Sequence, residues 1–394
     1  MHYDLIVAGG GVAGAALAFR MASSGANVLV IEREVAFRER VRGDSIHPWG
    51  VAEALRLGLA EALAGPSFRR VASWQLHVGG VRLIDRDLTR SLSGQPLVHV
   101  HHPELQQALL DAAAAAGAEV RRGARVVDVT RGRPAHVTVE DGEAQRLLTA
   151  RLVVAADGRD SALRKAAGVS APGELSELST AGALLAGHSG PAASQSLFYP
   201  PGFCELALWV PLAGERARIY FVRRRDAAGE RFSGDNQLAP FLAACRALGM
   251  PAAWLDSARA AGPLATFETR LSECASVALA GGLVFLGDAA GTVDPIYGCG
   301  LSLSFMDARS LSERLLETPD WDAAAARHAQ DRRDYVTRLR TLERWLTRLY
   351  YTPGDAAAEL RLRASARLGA LGIDLVGSGP ASPTDAETEA QLFA

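Results

Sequence analysis

Lysine is almost absent from this chain, with Lys165 the one lysine among 42 basic residues. Chemistry that needs a lysine amine therefore has a single candidate, and the wealth of arginine and alanine fits a GC-rich coding sequence. Cysteine is scarce as well. Cys204, Cys245, Cys274 and Cys299 are dispersed with no C-x-x-C pair, which excludes a zinc knuckle and a disulfide framework and makes a reducing cytoplasm the expected compartment. No basic excess exists: 44 acidic residues give a formal net charge of -2, so nothing is available to neutralise a phosphate backbone and no nucleic-acid partner is expected. The longest uncharged apolar stretch, Leu5 to Phe19, is glycine-rich and too short to span a bilayer. It lacks a basic segment before it, so no signal peptide is expected.

What is present is an ordinary globular composition, 48% hydrophobic and 22% charged over 394 residues, enough for two domains. Residues 3–8 read as a buried strand, 13–23 as a helix and 27–32 as a second strand, which makes a βαβ unit. Pro103 opens a helix that Gly117 closes, and strands follow in EVRRGARVVDV, HVTVED and RLVVAAD. From 172 to 275 alternating segments such as SLFYPP, CELALWVPL and ARIYFVRRR predict an antiparallel sheet. GGLVFLGDAA at 281–290 returns to the buried-strand style. The expected fold is α/β: a doubly wound nucleotide-binding core from 1–171 and 276–320, an inserted antiparallel substrate sheet at 172–275, a helical segment at 321–376 and a flexible tail at 377–394.

GGGVAG at 9–14 satisfies G-x-G-x-x-G after a strand and at the start of a helix. Gly9 allows the tight turn, Gly11 lets a pyrophosphate approach, and Gly14 lets helix and strand pack, with Val12 and Ala13 opening the helix whose N-terminus faces the phosphates. Glu32, at the end of the second strand, is placed to accept from ribose hydroxyls. This motif alone does not separate FAD from NAD.

LVVAADGRDSALR at 152–164 and FLGDAAGTVDPIYGCG at 285–300 add two further motifs. With GGGVAG and ERVRGDSIHP at 39–48, they resemble the FAD-dependent monooxygenases of the para-hydroxybenzoate hydroxylase type, with their halogenase and geranylgeranyl-reductase relatives. The resemblance implies that Asp157 and Gly158 border the FAD and the nicotinamide donor's approach, that Gly287 and Asp288 reach the ribityl chain, and that Arg42 reaches the pyrophosphate. It also implies cofactor contacts from Arg33, His102, Val126, Pro295, Gly298, Gly300 and Leu301. His102 stands where relatives usually carry arginine. Gly291, Cys299 and Ser302 also depart from the hydroxylase pattern G-D-A-A-H…P-x-x-G-Q-G-x-N, and DPIYGCG is closer to the halogenase and reductase branch.

Halogenation is set aside because those relatives use an active-site lysine and a W-x-W-x-I-P motif, neither of which is recognisable; Lys165 lies at the start of an arginine- and alanine-rich helix. The resemblance implies a monooxygenase in which NADH or NADPH reduces FAD, molecular oxygen adds at flavin C4a, and the hydroperoxide transfers oxygen to an aromatic or other electron-rich small molecule. Two alternatives stand beside it: an FAD-dependent reductase of an unsaturated or isoprenoid substrate, and a non-catalytic flavin-binding protein. His47, with an ordinary pKa near 6.5, is the candidate general base. Cys299 has no electropositive neighbour to ionise it and reads as packing. Trp49, Tyr199, Tyr220 and Tyr297, with Phe198 and Phe221, form a candidate aromatic substrate pocket. The arginines between Arg327 and Arg348 offer an acidic carrier protein or a membrane a surface, but Asp331, Asp334 and Glu343 dilute the charge, and a solvated amphipathic face is the preferred reading.

Overall fold

The computed structural model describes residues 2–41, 43–227, 229 and 231–394. Strand β1 (His2–Ala8) runs into helix α1 (Val12–Ala22), which returns to strand β2 (Val28–Glu32). Residues 5–8 and 28–32 are buried, as strands covered on both faces in a parallel sheet must be. Helix α2 (Pro48–Arg56) and a hairpin of β3 (Ser73–Val78) and β4 (Val81–Asp87) follow. Next come helix α3 (His102–Ala115) and strands β5 (Glu119–Arg122), β6 (Ala124–Thr130), β7 (Ala135–Asp141) and β8 (Ala144–Ala155). Beyond the short helix α4 (Ala162–Ala166) lie β9 (Gly173–Ala186), β10 (Ser194–Tyr199), β11 (Glu205–Pro211) and β12 (Arg216–Arg224). Helix α5 (Leu238–Ala247), strands β13 (Ala265–Ser272) and β14 (Leu283–Phe285), and helices α6 (Gly300–Glu317), α7 (Trp321–Tyr351), α8 (Asp355–Ala370) and α9 (Ala386–Phe393) complete the chain.

The first sheet carries the order β14-β8-β1-β2-β5, with every neighbour in that row parallel. β7 and β6 extend antiparallel from β8. Ala8 pairs with Ile31 on one side and Ala155 on the other, and Ala155 pairs with Phe285. Four strands therefore end level, and the residues that follow them emerge along one edge. Open α/β sheets bind ligands at this carboxyl edge.

The second sheet has the order β9-β12-β11-β10-β3-β4, with β13 on the free side of β9. Every pairing is antiparallel except β10 with β3. Its outer face, including Phe198, Trp209, Ile219 and Phe221, packs against α5. Its inner face carries Leu197, Leu208, Tyr220 and Gly182 in one cross-strand row. Gly182 is required there: a Cβ would stand 2.6 Å from Val41 Cγ1 and 2.9 Å from the Tyr220 ring, so the loop that carries Val41 settles directly onto the sheet.

Two expectations are corrected. The antiparallel sheet is not confined to 172–275, because the hairpin from Ser73 to Asp87 adds its last two strands through the parallel β10–β3 pairing. The segment beyond 377 is ordered. Gly379 packs so closely on the Trp49 indole that a Cβ would lie 2.5 Å from it, and Asp385 caps α9 by accepting from the Thr388 N–H at 2.9 Å. Leu392 is fully buried, and the Phe393 ring sits edge-on to Trp345. Its polar composition hides these local tasks, and its two large apolar residues, Leu392 and Phe393, reach a core that sequence proximity does not reveal.

Candidate cofactor site

The glycine turn is built on three separate requirements. Gly9 has φ +109°, and a Cβ would fall 2.3 Å from the Ala156 carbonyl oxygen. At Gly14 a Cβ would lie 2.1 Å from the Gly9 oxygen, the close helix–strand contact the motif predicts. At Gly11 it would meet only Gln106 Nε2, at 3.9 Å, so the space in front of the α1 N-terminus stays open toward α3. Val12 and Ala13 are buried in the first turn.

Glu32 is buried and already engaged. The Gly10 N–H donates to its Oε2 and the Glu34 N–H to its Oε1, both at 2.8 Å. One carboxylate thus sets the shape of the glycine turn while standing at the end of β2. Arg33 points outward, 3.8 Å from Glu34, and Val126 is buried in the core beneath β6.

Asp157 follows β8 and Asp288 follows β14, on neighbouring strands. Asp157 Oδ2 accepts from the Leu163 N–H at 3.2 Å, whereas its buried Oδ1 has no partner among the described residues. Asp288 lies 4.0 Å from Arg159 Nε of the other motif. Gly158 has φ +85° with open space around it.

Arg42 lies outside the described residues, but its surroundings are defined. His102, the first residue of α3, places Nδ1 3.1 Å from the Gly43 carbonyl oxygen. Asp44 is fully buried and accepts from Arg218 Nε at 2.9 Å and from the Tyr220 hydroxyl at 2.7 Å. Burial opposes the charge on Arg218, and the Asp44 and Glu39 carboxylates outweigh it, holding its pKa above the ordinary arginine value. This network joins Glu39 and Asp44 to the inner face of the second sheet.

His47 is buried, and its backbone N–H donates to Ser302 Oγ at 2.9 Å. Burial drives its pKa down to about 4, so the imidazole is neutral at pH 7. A Cβ on Gly298, at φ +67°, would lie 3.0 Å from His47 Nε2. The histidine therefore packs beneath the turn that contains Pro295, Tyr297 and Gly298, and its Nδ1 has no partner among the described residues.

That turn is capped by Asp294, whose Oδ1 accepts from the Ile296 N–H at 3.2 Å and whose Oδ2 accepts from the Ser176 hydroxyl at 2.5 Å. Gly300 opens α6, and Leu301 is buried in the main core. The departures from the hydroxylase pattern have local reasons. A side chain at Gly291, with φ +149°, would meet the Ser272 oxygen at 2.7 Å, and the Ser302 hydroxyl holds the His47 peptide. Cys299 is buried and its thiol is pushed well above the ordinary value by burial, in keeping with a packing role.

The aromatic residues do not converge on one pocket. Trp49 donates through Nε1 to the Leu375 oxygen at 3.2 Å and is covered by the C-terminal segment. Tyr199 is buried against Phe203, Tyr350 and Tyr351. The Tyr297 hydroxyl pairs with Thr347 Oγ1 at 2.6 Å. Phe198 and Phe221 are on the outer face of the sheet. Tyr220 lies in the inner-face row beside Leu208, and Tyr199, two residues beyond Leu197, shares that face but is covered by Tyr350 and Tyr351. Phe198 and Phe221 face the other way because successive residues of a strand point to opposite sides.

The groups present fit a dinucleotide cofactor: an open cradle at Gly11 before a helix N-terminus, and three carboxylates able to accept from hydroxyls, at Glu32, Asp157 and Asp288, share one sheet edge. A model of the FAD binding domain family matches residues 2–339, and the chain belongs to that family. It is 28% identical to 6-methylpretetramide 4-monooxygenase of Streptomyces rimosus over 92% of this chain and 88% of that protein. Rifampicin monooxygenase of Streptomyces venezuelae is 32% identical over 45% of this chain and 36% of that protein, so this chain spans about a third of that relative's length. Among solved structures, p-nitrophenol 4-monooxygenase PnpA of Pseudomonas putida DLL-E4 superposes with a TM-score of 0.78 at 18% identity, covering 95% of each chain. Among the described residues no helix is long and apolar enough to cross a membrane.

Sequence reasoning missed the residues that brace the site. Gln106 faces Gly11 from α3. Arg164 donates to the carbonyls of Arg159 and Ala289, and Asp44 pairs with Arg218. Each of these works through backbone groups or a partner distant in sequence, which no motif records.

Proposed function

We propose that this protein is an FAD-dependent monooxygenase that uses NADH or NADPH and molecular oxygen to oxygenate an aromatic or other electron-rich small molecule. The observation that carries the reading is the level edge where Gly9–Gly14, Glu32, Asp157 and Asp288 follow four adjacent parallel strands, in a chain of the FAD binding domain family. Bound FAD would supply the activation of oxygen. The chain's own residues would hold it: Gly11 and the α1 N-terminus at the pyrophosphate, Glu32 at the ribose, Asp288 at the ribityl chain and Asp157 near the donor's approach, with Arg33, Arg42, His102 and the 295–301 turn around them.

The inner sheet face would bound the substrate. Its row of Leu197, Leu208 and Tyr220 is apolar apart from one hydroxyl, which Asp44 occupies, and Arg218 is committed to Asp44 and Glu39. A half-buried apolar face of this kind would help to exclude water while leaving the oxygen transfer to the cofactor. His47, neutral at pH 7, would hold the Gly298 turn from beneath rather than take a proton from substrate. The reductase alternative drew on Gly291, Cys299 and Ser302, and each of these has a local packing reason that favours neither chemistry.

The test is to purify the protein, release its flavin by denaturation, and follow NADH and NADPH oxidation under 18O2 with a panel of phenols and polycyclic aromatics. A product heavier by one 18O atom is expected. Reduction of a double bond with no label incorporated, or no bound FAD at all, would overturn the reading.

A further inference from the structure

Gly287 is the residue before Asp288, and both polar groups of its backbone are held from behind. Its N–H donates to Asp307 Oδ2 at 3.0 Å, and its carbonyl oxygen lies 3.5 Å from Arg332 Nη2, which also approaches the Gly291 oxygen at 3.3 Å. Arg332 and Asp307 form an ion pair, Nε to Oδ2 at 3.0 Å, and the Tyr335 hydroxyl donates to Asp307 Oδ1 at 2.6 Å. Asp307 is 0% and Arg332 2% exposed. A buried ion pair is weak evidence for stability, since apolar residues of similar volume often serve as well. What this pair supplies is direction: its remaining bonds go to the backbone on either side of Asp288.

The same helix continues the pattern. Arg340 Nη2 donates to the Thr292 oxygen at 3.1 Å, Glu343 Oε2 accepts from the Asp294 N–H at 3.3 Å, and Thr347 Oγ1 meets the Tyr297 hydroxyl at 2.6 Å. Arg332, Arg340, Glu343 and Thr347 are spaced so that they share one side of α7, and they engage the 287–297 segment in chain order. Gly287 has φ +60°, a conformation that an unrestrained glycine leaves readily.

We propose that Arg332, with Asp307, is a positioning residue for Asp288: it fixes the Gly287 peptide and so the direction in which the Asp288 carboxylate leaves the sheet edge toward the cofactor. This rests on the reading that Asp288 contacts FAD. Arg332→Lys keeps a positive charge beside Asp307 but loses the planar fork, and Tyr335→Phe removes one donor from Asp307 without changing charge.

The experiment is a double-mutant cycle on apo-protein, reading the FAD dissociation constant by flavin fluorescence quenching and the apo-protein melting temperature alongside. Arg332→Lys and Asp288→Asn are each expected to weaken FAD about tenfold, and the double variant to bind no more weakly than the poorer single one, because Arg332 acts only through Asp288. Tyr335→Phe should weaken FAD about two- to threefold and couple to Asp288→Asn in the same way; it carries the decision if Arg332→Lys does not fold. Wild-type affinity in both the Arg332 and Tyr335 variants, or losses that multiply in the double variants, would overturn the positioning role alone. An unchanged affinity for Asp288→Asn by itself would instead overturn the FAD contact on which the proposal rests.

Discussion

The guanidinium of Arg164 donates to the carbonyl oxygen of Ala289 at 2.7 Å, joining a residue just after Asp157 to the backbone just after Asp288. A second bond, to the Arg159 oxygen at 3.0 Å, closes the link, so one buried cation fixes the spacing of the two aspartate motifs. Charge-assisted bonds of this kind each contribute about 1.5–3 kcal/mol. Arg164→Met is expected to lower the apo-protein melting temperature and to weaken FAD, read by calorimetry and by flavin titration. A variant that loses stability but keeps wild-type FAD affinity would show that the link is not needed to align the two motifs.

Glu32→Ala removes the acceptor for two backbone N–H groups as well as any ribose contact. FAD affinity should fall roughly tenfold or more. Glu32→Gln, whose amide oxygen still accepts, should lose less. Equal affinities for wild type and both variants in a fluorescence titration would move the ribose contact elsewhere.

Three histidines, His47, His99 and His328, are held by burial at a pKa of about 4. Unfolded histidines bind protons near pH 6.5, so between pH 6.5 and about 4 these three sites carry more protons in the unfolded state, and their contribution to stability rises with pH in that window and falls on acidification. Each contributes a slope of up to about 1.4 kcal/mol per pH unit. His101 works the other way: its contact with the Glu39 carboxylate raises its pKa, so its contribution is complete below 6.5 and is lost as pH rises through the folded value. Thermal melts from pH 4 to 8 should show the acid loss, and His328→Gln should flatten it; an identical slope in that variant would contradict the assignment.

Removing residues 377–394 should uncover Trp49 and Trp345. A red-shifted tryptophan emission and a lower melting temperature are expected, because burial of Leu392 and the contacts of Phe393 and Gly379 are lost together. A truncated chain with the wild-type spectrum and melting temperature would return this segment to the status of a free tail.

How much of this was legible in the sequence depended on the range of the interaction. The glycine turn, β1, α1, β2 and the placement of Asp157 and Asp288 after strands were readable because each is set by neighbours within a few residues: turn glycines, apolar runs, strand ends. The hairpin at 73–87 carries its own Gly79–Gly80 turn and alternating residues, yet its parallel partner, β10, lies more than a hundred positions away, and nothing local assigns it to that sheet. Trp49 counts among the aromatics of the expected substrate pocket, and only the folded C-terminal segment shows what covers it. Asp44 and Arg218 carry no local signal of their pairing, since 174 positions separate them and only the tertiary fold buries them together.

Strand β14 enters the first sheet beside β8 only after most of the second sheet, the strands from β9 to β13, has intervened in the chain. A ribosome adding about 5–20 residues per second therefore delivers the Asp157 half of this edge several seconds or more before the Asp288 half. Throughout that interval the β14 side of β8 has no strand to pair with, and Arg164 has no Ala289 carbonyl to meet. The carboxyl edge on which Asp157 and Asp288 stand side by side is therefore completed only when β14 has been made and takes its place next to β8.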